Sequence, residues 1–326
     1  MVGEHLKETV SNDTPLVSVI TLSYNSPDLF AAIDSVVTQT YPKIEYIIVD
    51  DASNDFSKEN TEKHIRSLAG PNLADLKIFV NAENKGIAKS GNIALNAITG
   101  KYVFYLAGDD SFVDNNVISD WVKAFDDNGS TVMTAYRDIY DHSLTAFIAR
   151  EPTEKNADFI KTASPSELLE KMAAYNLIFG CCTAFTAECL QKYGPYNEKY
   201  PFIDDYPFLL KLLRNGVKID FFDRVVVKYR RGGISAFENV KKRYIKESDL
   251  IFKNEVKPYV KDVKNAQKRY NAWKKRLKED QRNAKYACLR EESRDDPFRT
   301  LLLRLFHGLS HPKNIIMKIT KKTEKK

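Results

Sequence analysis

Cysteine is scarce in this chain and its spacing offers no pairs. Of 326 residues four are cysteines. Cys181 and Cys182 are adjacent, Cys189 follows, and Cys288 is remote. No C-x-x-C pair exists, so neither a zinc knuckle nor a disulfide framework is indicated, and the thiols read as reduced and buried in a cytoplasmic protein. The five histidines are scattered without metal-ligand spacing. No stretch approaches the roughly 18 consecutive apolar residues of a membrane span. The opening "MVGEHLKETVSNDTP" is polar and charged where a secretory leader would be apolar. These absences lead to the expectation of a soluble or membrane-peripheral protein. Internal repeats are also lacking, and the only biased tract is the lysine-rich end.

Enough apolar sequence remains for a real core, since hydrophobic residues make up 43%. The formal net charge of +6 is unevenly spread. Residues 297–326 carry roughly +7 and residues 241–296 roughly +8, which leaves roughly −9 for the first 240. An acidic front excludes a nucleic-acid-binding core, because phosphate neutralisation needs basic groups where the ligand sits.

From Leu16 onward strands and helices alternate. "LVSVITLSY" is a β-branched strand and "SPDLFAAIDSVVTQ" has helical spacing, with Ser26-Pro27 in capping and first-turn positions. "IEYIIVDDASND" is a second buried strand running into an acidic turn. "DLKIFVN" is a third, "GIAKSGNIALNAITG" a helix ended by Gly100, and "KYVFYL" a fourth strand. This alternation predicts an α/β fold with a mostly parallel sheet and helices on both faces. The second half mixes strands ("TVMTAYRDIY", "TAFIAR", "VKIDFF", "RVVVKYR") with helices ("SPSELLEKMAAYN", "FIDDYPFLLKLLRNG"), and "CCTAFTAECLQKYG" passes from strand to short helix. Beyond Gly233 the chain is charged and helix-forming.

Ligands of such sheets bind at the carboxyl ends of the strands. Three of these ends are polar: Tyr24-Asn25, Asp50-Asp51 and Asp109-Asp110. Adjacent carboxylates repel. A hard divalent cation would offset that repulsion and bridge to a diphosphate, while a solvated turn is the plainer explanation of each pair.

The succession "SVITLSYN", "SVVTQTYPKIEYIIVDDASND" and "NKGIAKSGNIALNAITGKYVFYLAGDD" resembles the nucleotide-binding half of family-two inverting glycosyltransferases of the GT-A fold, in their bacterial polysaccharide and lipopolysaccharide branch. "FTAECLQKYGPYNEKYPFIDDYPFLLKL" and "YRRGGIS" extend the likeness over nearly all of residues 16–237. The resemblance implies a Rossmann-like mixed sheet with a C-terminal α-helical extension. The expected organisation is a polar tail at 1–14 and a GT-A domain at 15–236. That domain divides into a nucleotide-sugar half at 15–112 and an acceptor half at 113–236. A charged helical extension follows at 237–296, then a basic amphipathic tail at 297–326.

Carried over by motif, Tyr24 flanks the nucleobase and Asp51 accepts a hydrogen bond from it. Asn84, Gly86 and Asn92 match an "N-x-G … N" signature beside the ribose and diphosphate. A basic residue often precedes that last Asn; Gly91 stands here instead, and Lys85 or Lys89 supplies the charge in this reading. The usual D-x-D metal motif has lost its first acid to Ala107. Asp109 is then the expected ligand of Mn²⁺ or Mg²⁺, and Asp110 a nearby donor or further ligand. Asp205 matches the catalytic base. An inverting transfer needs a carboxylate to take the acceptor hydroxyl proton while cationic groups stabilise the departing nucleoside diphosphate. Asp204 and Asp205 also suit a helix start, where acids complement the macrodipole. Gly232-Gly233 occupy the place of a histidine some relatives carry, and Arg230 or Arg231 is available to phosphate.

The resemblance thus implies transfer from a nucleotide sugar, a UDP-sugar first, to a glycan or lipid-linked acceptor in surface polysaccharide synthesis, with no nucleic-acid partner. Ala107 and the missing histidine keep an inactive nucleotide-sugar-binding scaffold as an alternative. A sugar nucleotidyltransferase is the remoter one, because "TLSYNSPD" has neither the glycines nor the basic residues of its phosphate loop. A processive synthase would bring membrane spans and a Q-x-x-R-W motif, both absent. In "PFRTLLLRLFHGLSHPKNIIMKITKKTEKK" the residues Phe298, Leu301, Leu302, Leu305, Phe306 and Leu309 share one helical face ahead of a polybasic end. This predicts contact with anionic lipid on the inner face of the cytoplasmic membrane, or else a helix packed on the protein with a solvated tail.

Overall fold

The computed structural model describes residues 14–231 and 238–292. The strands of the first half are β1 (Val17–Ser23), β2 (Ile44–Asp50), β3 (Leu73–Val80) and β4 (Tyr102–Ala107). They lie parallel in the order β3-β2-β1-β4. Every residue of β2 is buried, including Glu45 and Asp50 among its apolar residues, since a parallel strand is covered on both faces. Val17, Val19, Ile44, Tyr46, Ile48, Tyr102, Phe104 and Leu106 share one core with α1 (Leu29–Val37) and α4 (Val117–Asn128), in which Trp121 and Phe125 are fully enclosed. Side chains alternate across a strand. The opposite parity therefore turns toward α3 (Ile87–Leu95), which packs on β1 and β2.

The second half makes the sheet mixed rather than mostly parallel. It adds β5 (Ser111–Phe112), β6 (Val132–Tyr140), β7 (Phe147–Glu151), β8 (Thr183–Thr186) and β9 (Asp220–Arg230). The path continues β4-β8-β6-β9-β5, with β7 beside β6. β8 runs antiparallel to β4 and β6, and β5 antiparallel to β9. The segments "VKIDFF" and "RVVVKYR" form the single strand β9, whose pairing with β6 shifts register around Tyr136. Further helices are α2 (Lys58–Leu68), α5 (Glu154–Thr162), α6 (Pro165–Met172), α7 (Ala187–Tyr193) and α8 (Asp205–Arg214). At α6, Ser164 and Glu167 close a capping box.

Two expected helix ends are corrected. Ser26 does not cap α1: the helix begins at Leu29 after Asp28, and the Ser26 hydroxyl donates instead to the Gly108 carbonyl at 2.7 Å. Gly100 does not end α3, which stops at Leu95. It lets the chain pass β1 so closely that a Cβ would stand 2.5 Å from the Ser18 nitrogen.

Register fixes the working edge. Ser23 pairs with Asp50 and Leu22 with Ala107, so β1, β2 and β4 end level. Backbone bonds from Asp51 N–H to Ser23 (2.8 Å) and from Gly108 N–H to Leu22 (3.0 Å) carry that alignment one residue further.

The chain falls into two compact units, Met1–Ala266 and Gln267–Lys326. The first contains the sheet and also α9 (Glu238–Ile251) with the π-helical turn Phe252–Val256. The last described helix, α10 (Val263–Glu292), carries the Tyr270 and Trp273 rings 5.5 Å apart. The tail at 297–326, most of the N-terminal tail and Gly232-Gly233 lie outside the described residues. Among those described, no helix is long and apolar enough to cross a membrane.

Candidate active site

A cleft of about 510 Å³ opens over the level ends of β1, β2 and β4. Of the residues singled out in the sequence, Tyr24, Asp51, Asp109, Asp110 and Asp205 all line it. Asn84, Gly86, Lys89 and Asn92 do not. Asn84 and Lys89 are exposed elsewhere.

Gly86 and Asn92 support the cleft from behind. Asp51 is buried, and its carboxylate accepts from Asn81 Nδ2 (2.7 Å), Lys85 N–H (2.8 Å) and Gly86 N–H (2.8 Å). A carboxylate has about four acceptor positions, so one is left. Gly86 has φ +85°, and a Cβ there would meet the Pro201 carbonyl oxygen at 2.9 Å. Asn92 brackets the Tyr196 backbone: its Oδ1 accepts the Tyr196 N–H (2.8 Å) and its Nδ2 donates to the Tyr196 carbonyl (3.1 Å) and to Glu198 Oε1 (3.1 Å). A Cβ on Gly91 would stand 3.1 Å from the Tyr196 ring, which accounts for glycine where a basic residue was expected.

Asp109 and Asp110 form the turn between β4 and β5. Arg230, buried at the end of β9, holds that turn. Its backbone N–H donates to Asp110 Oδ1 (2.9 Å), its Nε to the Asp109 carbonyl (2.9 Å), and the same Nε lies 3.2 Å from Asp28 Oδ2. Asp110 is 1% exposed, and its Oδ2 has no hydrogen-bond partner. Burial raises the Asp110 carboxyl far above the ordinary range, and its neighbours Cys181 and Asp109 push the same way. Asp109 is raised too, by burial, although Arg230 opposes the shift. Among the described residues no group of three or more His, Cys, Asp or Glu could by itself hold a metal ion. The orphan oxygen of Asp110 beside Asp109 nevertheless suits a hard cation that takes one or two carboxylates from the protein and its other ligands from substrate phosphates.

Opposite stand Asp204 and Asp205 at the start of α8. Asp205 Oδ2 accepts from Gly180 N–H (3.0 Å) and Asn176 Nδ2 (3.3 Å), and Oδ1 accepts the Tyr206 N–H (2.6 Å). Gly180 permits this approach, since even its bare Cβ position lies 3.1 Å from Asp205 Cβ. Asp204 precedes the helix without capping it through its side chain. Burial raises both carboxyls, and at Asp204 the neighbouring Asp205 adds to the shift.

The sequence reading passed over several lining residues. Arg137 sits between the rings of Phe179 (3.8 Å) and Tyr229 (4.1 Å) and donates to Glu151 (2.6 and 3.2 Å). Its signal was a cation within a largely apolar strand, directly before Asp138. Asp28, Tyr105 and His142 also face the cleft, and the His142 carbonyl accepts from Arg230 Nη1. Glu247 of α9 lies behind it and is nearly buried; its Oε1 accepts the N–H groups of Phe202 (2.9 Å) and Ile203 (2.6 Å), just ahead of Asp204. Nothing in that charged helix distinguished Glu247 from its neighbours.

Comparison with known proteins identifies the fold and the family. Solved structures with the same fold include the mannosyltransferase PcManGT from Pyrobaculum calidifontis, in complex with GDP-Man and Mn²⁺. That match has a TM-score of 0.59 and 19% identity, and covers 94% of this chain and 84% of that one. Residues 1–349 of S. aureus TarS in complex with UDP match with a TM-score of 0.56 and 19% identity, over 78% and 69% of the two chains. These likenesses establish the GT-A fold. In sequence, the Escherichia coli UDP-Glc:alpha-D-GlcNAc-diphosphoundecaprenol beta-1,3-glucosyltransferase WfaP is 30% identical over 245 residues, 72% of this chain and 85% of its own length. An uncharacterized glycosyltransferase of Haemophilus influenzae is 29% identical over 67% of this chain, which spans 66% of that relative's length. The family model for glycosyl transferase family 2 matches residues 18–193, more than half of the sequence, and the chain belongs to that family.

Proposed function

We propose that the protein is an inverting glycosyltransferase that moves a sugar from a nucleotide diphosphate, UDP first, to a lipid-linked glycan acceptor. One observation carries this reading: Asp109 and Asp110, at the level ends of the parallel strands, line one cleft together with the Asp204–Asp205 pair. The donor and acceptor named for WfaP, and the UDP bound by TarS, support the choice of substrates.

In this reading Tyr24, 36% exposed at the cleft, flanks the base, and the remaining acceptor position of Asp51 takes a base N–H. Asp109 and Asp110 would hold Mn²⁺ or Mg²⁺, which supplies positive charge to the diphosphate as it leaves. Arg230 keeps both acids in place. Asp205 takes the proton of the acceptor hydroxyl as that oxygen attacks the anomeric carbon from the face opposite the diphosphate. Its three donors fix its orientation, while burial raises its basicity. The direct displacement forms one C–O bond, breaks the other and inverts the carbon.

The test is turnover of UDP-, GDP- and dTDP-sugars with lipid-linked acceptors, with Mn²⁺ or EDTA, for wild type, Asp109→Ala and Asp205→Asn. Metal-dependent turnover of one donor, lost in both variants, is expected. A donor that binds and never turns over would support the scaffold alternative instead. Activity indifferent to EDTA would refute the metal assignment.

A further inference from the structure

The turn joining β6 to β7 forms part of the rim of the cleft, because His142 lines it and the His142 carbonyl accepts from Arg230 Nη1. The arm returning from this turn carries Phe147 and Ile148, 56% and 42% exposed, and no large apolar side chain among the described residues is more exposed than Phe147. Pairing explains why two consecutive side chains both stay outside. Ile139 faces Ala149 and Tyr140 faces Phe147, so Ile148 is an extra residue that breaks the alternation. The turn itself is held in shape. Asp141 Oδ1 accepts the N–H groups of Thr145 (2.8 Å) and Ala146 (3.0 Å), and its Oδ2 accepts from Ser143 Oγ (2.8 Å). β7 pairs with β6 alone among the described strands, and an edge of this kind is ordinarily guarded by charge. Here the charges are spent on each other, Arg150 on Asp138 (2.7 and 2.9 Å) and Arg137 on Glu151 (2.6 Å), while Phe147 and Ile148 face solvent.

We propose that the β6–β7 tip is a docking surface for a bilayer containing anionic lipid, and that it turns the mouth of the cleft toward an acceptor carried in that bilayer. The lipid contact stands on the tip itself, whereas the acceptor's part rests on the glycosyltransferase reading above. Size favours lipid over a protein partner, since two exposed side chains fall far short of the roughly 800 Å² per partner of a stable protein interface. A shallow interfacial contact needs only apolar side chains with basic groups around them. Those groups are present. Arg231 is exposed, and its N–H donates to the carbonyl of Tyr140 (2.9 Å), the residue that pairs with Phe147. Elsewhere on the rim the Arg243 guanidinium lies 5.5 Å from the ring of Phe202, which lines the cleft. Lys242 and Lys246 are exposed one helical turn apart on the same α9. Cations so placed are drawn to an anionic surface, and salt screens the attraction. The tip is too small to hold the protein on a membrane by itself, which the basic tail at 297–326 is expected to do. Its part is to set which face meets the lipid.

The experiment uses the full chain and vesicles of phosphatidylcholine with or without phosphatidylglycerol. Tryptophan emission of Phe147→Trp, with wild type subtracted, is expected to shift to the blue on the anionic vesicles and to be quenched there by brominated lipid. The double variant Phe147→Ser/Ile148→Ser is then assayed on one acceptor headgroup in two forms, on a long lipid within the vesicles and on a short water-soluble chain. It is expected to lose about tenfold or more in kcat/KM on the vesicle-borne form, the effect of withdrawing two apolar side chains from lipid. On the soluble form it stays within twofold, with UDP affinity and melting temperature unchanged. An emission that ignores anionic vesicles would overturn the proposal. So would equal losses on both acceptor forms, which would assign the tip to the fold or the cleft. A blue shift that needs no vesicles and grows with protein concentration would overturn it in favour of contact with a second copy of the chain. If no acceptor form is turned over by wild type, the glycosyltransferase reading fails separately, and the emission and quenching of Trp at 147 decide the lipid contact.

Discussion

Replacing Glu247 by alanine will damage catalysis from outside the catalytic sheet. The carboxylate is 5% exposed, and its Oε1 accepts two backbone N–H groups, from Phe202 at 2.9 Å and Ile203 at 2.6 Å. Hydrogen bonds to a charged acceptor contribute about 1.5–3 kcal/mol each. Part of that is offset because burial disfavours the charged form, and the Glu247 carboxyl is accordingly raised. In Glu247→Ala the N–H of buried Ile203 is stranded, while that of half-buried Phe202 can recover a water. The net expectation is a loss of about 2–4 kcal/mol in urea unfolding. Because Asp204 and Asp205 follow directly, a shift of the turn near 1 Å would lower kcat by about a hundredfold. Glu247→Gln keeps an acceptor in place and should recover most of both losses. The reasoning is refuted if Glu247→Ala unfolds at the wild-type midpoint with kcat within twofold. If Gln and Ala prove equally poor, the charge of Glu247 matters rather than its geometry.

Other outcomes follow from the same contacts. The Asp205→Asn variant should bind UDP as wild type does while turnover falls by about 10³-fold or more, measured by UDP release. Both carboxyls of the Asp204–Asp205 pair are raised, so the base is ionised only above the usual carboxylate range. The acid limb of kcat should therefore lie at higher pH than an ordinary carboxylate would place it, and vanish as a distinct limb in Asp205→Asn. Glu45 is fully buried and accepts from Lys77 Nζ (2.5 Å), Thr99 N–H (2.9 Å), Thr99 Oγ1 (2.7 Å) and Ser18 Oγ. Burial alone would raise its carboxyl, but these donors outweigh burial and lower it. Its contribution to stability is then present above the unfolded-state carboxylate value and lost as the pH falls through the lower folded one. Glu45→Ala should cost about 3–5 kcal/mol at neutral pH, with the gap to wild type narrowing in acid. Asn92→Ala should lower stability and kcat together through the Tyr196 loop; a selective rise in KM for the donor with stability intact would instead place Asn92 on the ligand. Deleting residues 297–326 should abolish co-sedimentation with anionic liposomes, and unchanged sedimentation would end the lipid proposal.

Much of the first half was legible because its signals are local. β1 and β2 are rich in β-branched residues and β4 in aromatic ones, and each gives way to polar residues where the strand ends. The cleft lies at those breaks, so Tyr24, Asp51, Asp109 and Asp110 could be placed without knowing the fold's second half. What lay beyond reach was pairing at long separation. Arg230 meets Asp110 across 120 residues and Asn92 meets Tyr196 across 104. No periodicity encodes such partners. Gly86 and Asn92 of the "N-x-G … N" signature also bond to Asp51 and the Tyr196 loop, partners that the motif alone did not reveal.

The two adjacent acids make sense once their tethering is considered. β4 holds the turn from one side, and on the other β5 pairs Ser111 with Lys228 and Phe112 with Val227 of β9. The chain thus leaves β4, turns through Asp109 and Asp110, and is fastened at once to the strand that carries Arg230. Of the groups at this corner Asp28, Asp109 and Asp110 are acidic, and Arg230 supplies the opposing charge. That cation is committed to the Asp109 carbonyl, Asp28 and the His142 carbonyl, so it anchors the turn without neutralising Asp110 Oδ2. An arrangement that fixes two carboxylates so firmly and leaves one buried oxygen unanswered is poor design for a solvated turn. It is coherent for a site whose missing charge arrives with its substrate, and Ala107, in the place of the motif's first acid, leaves that corner and its tethering to Arg230 intact.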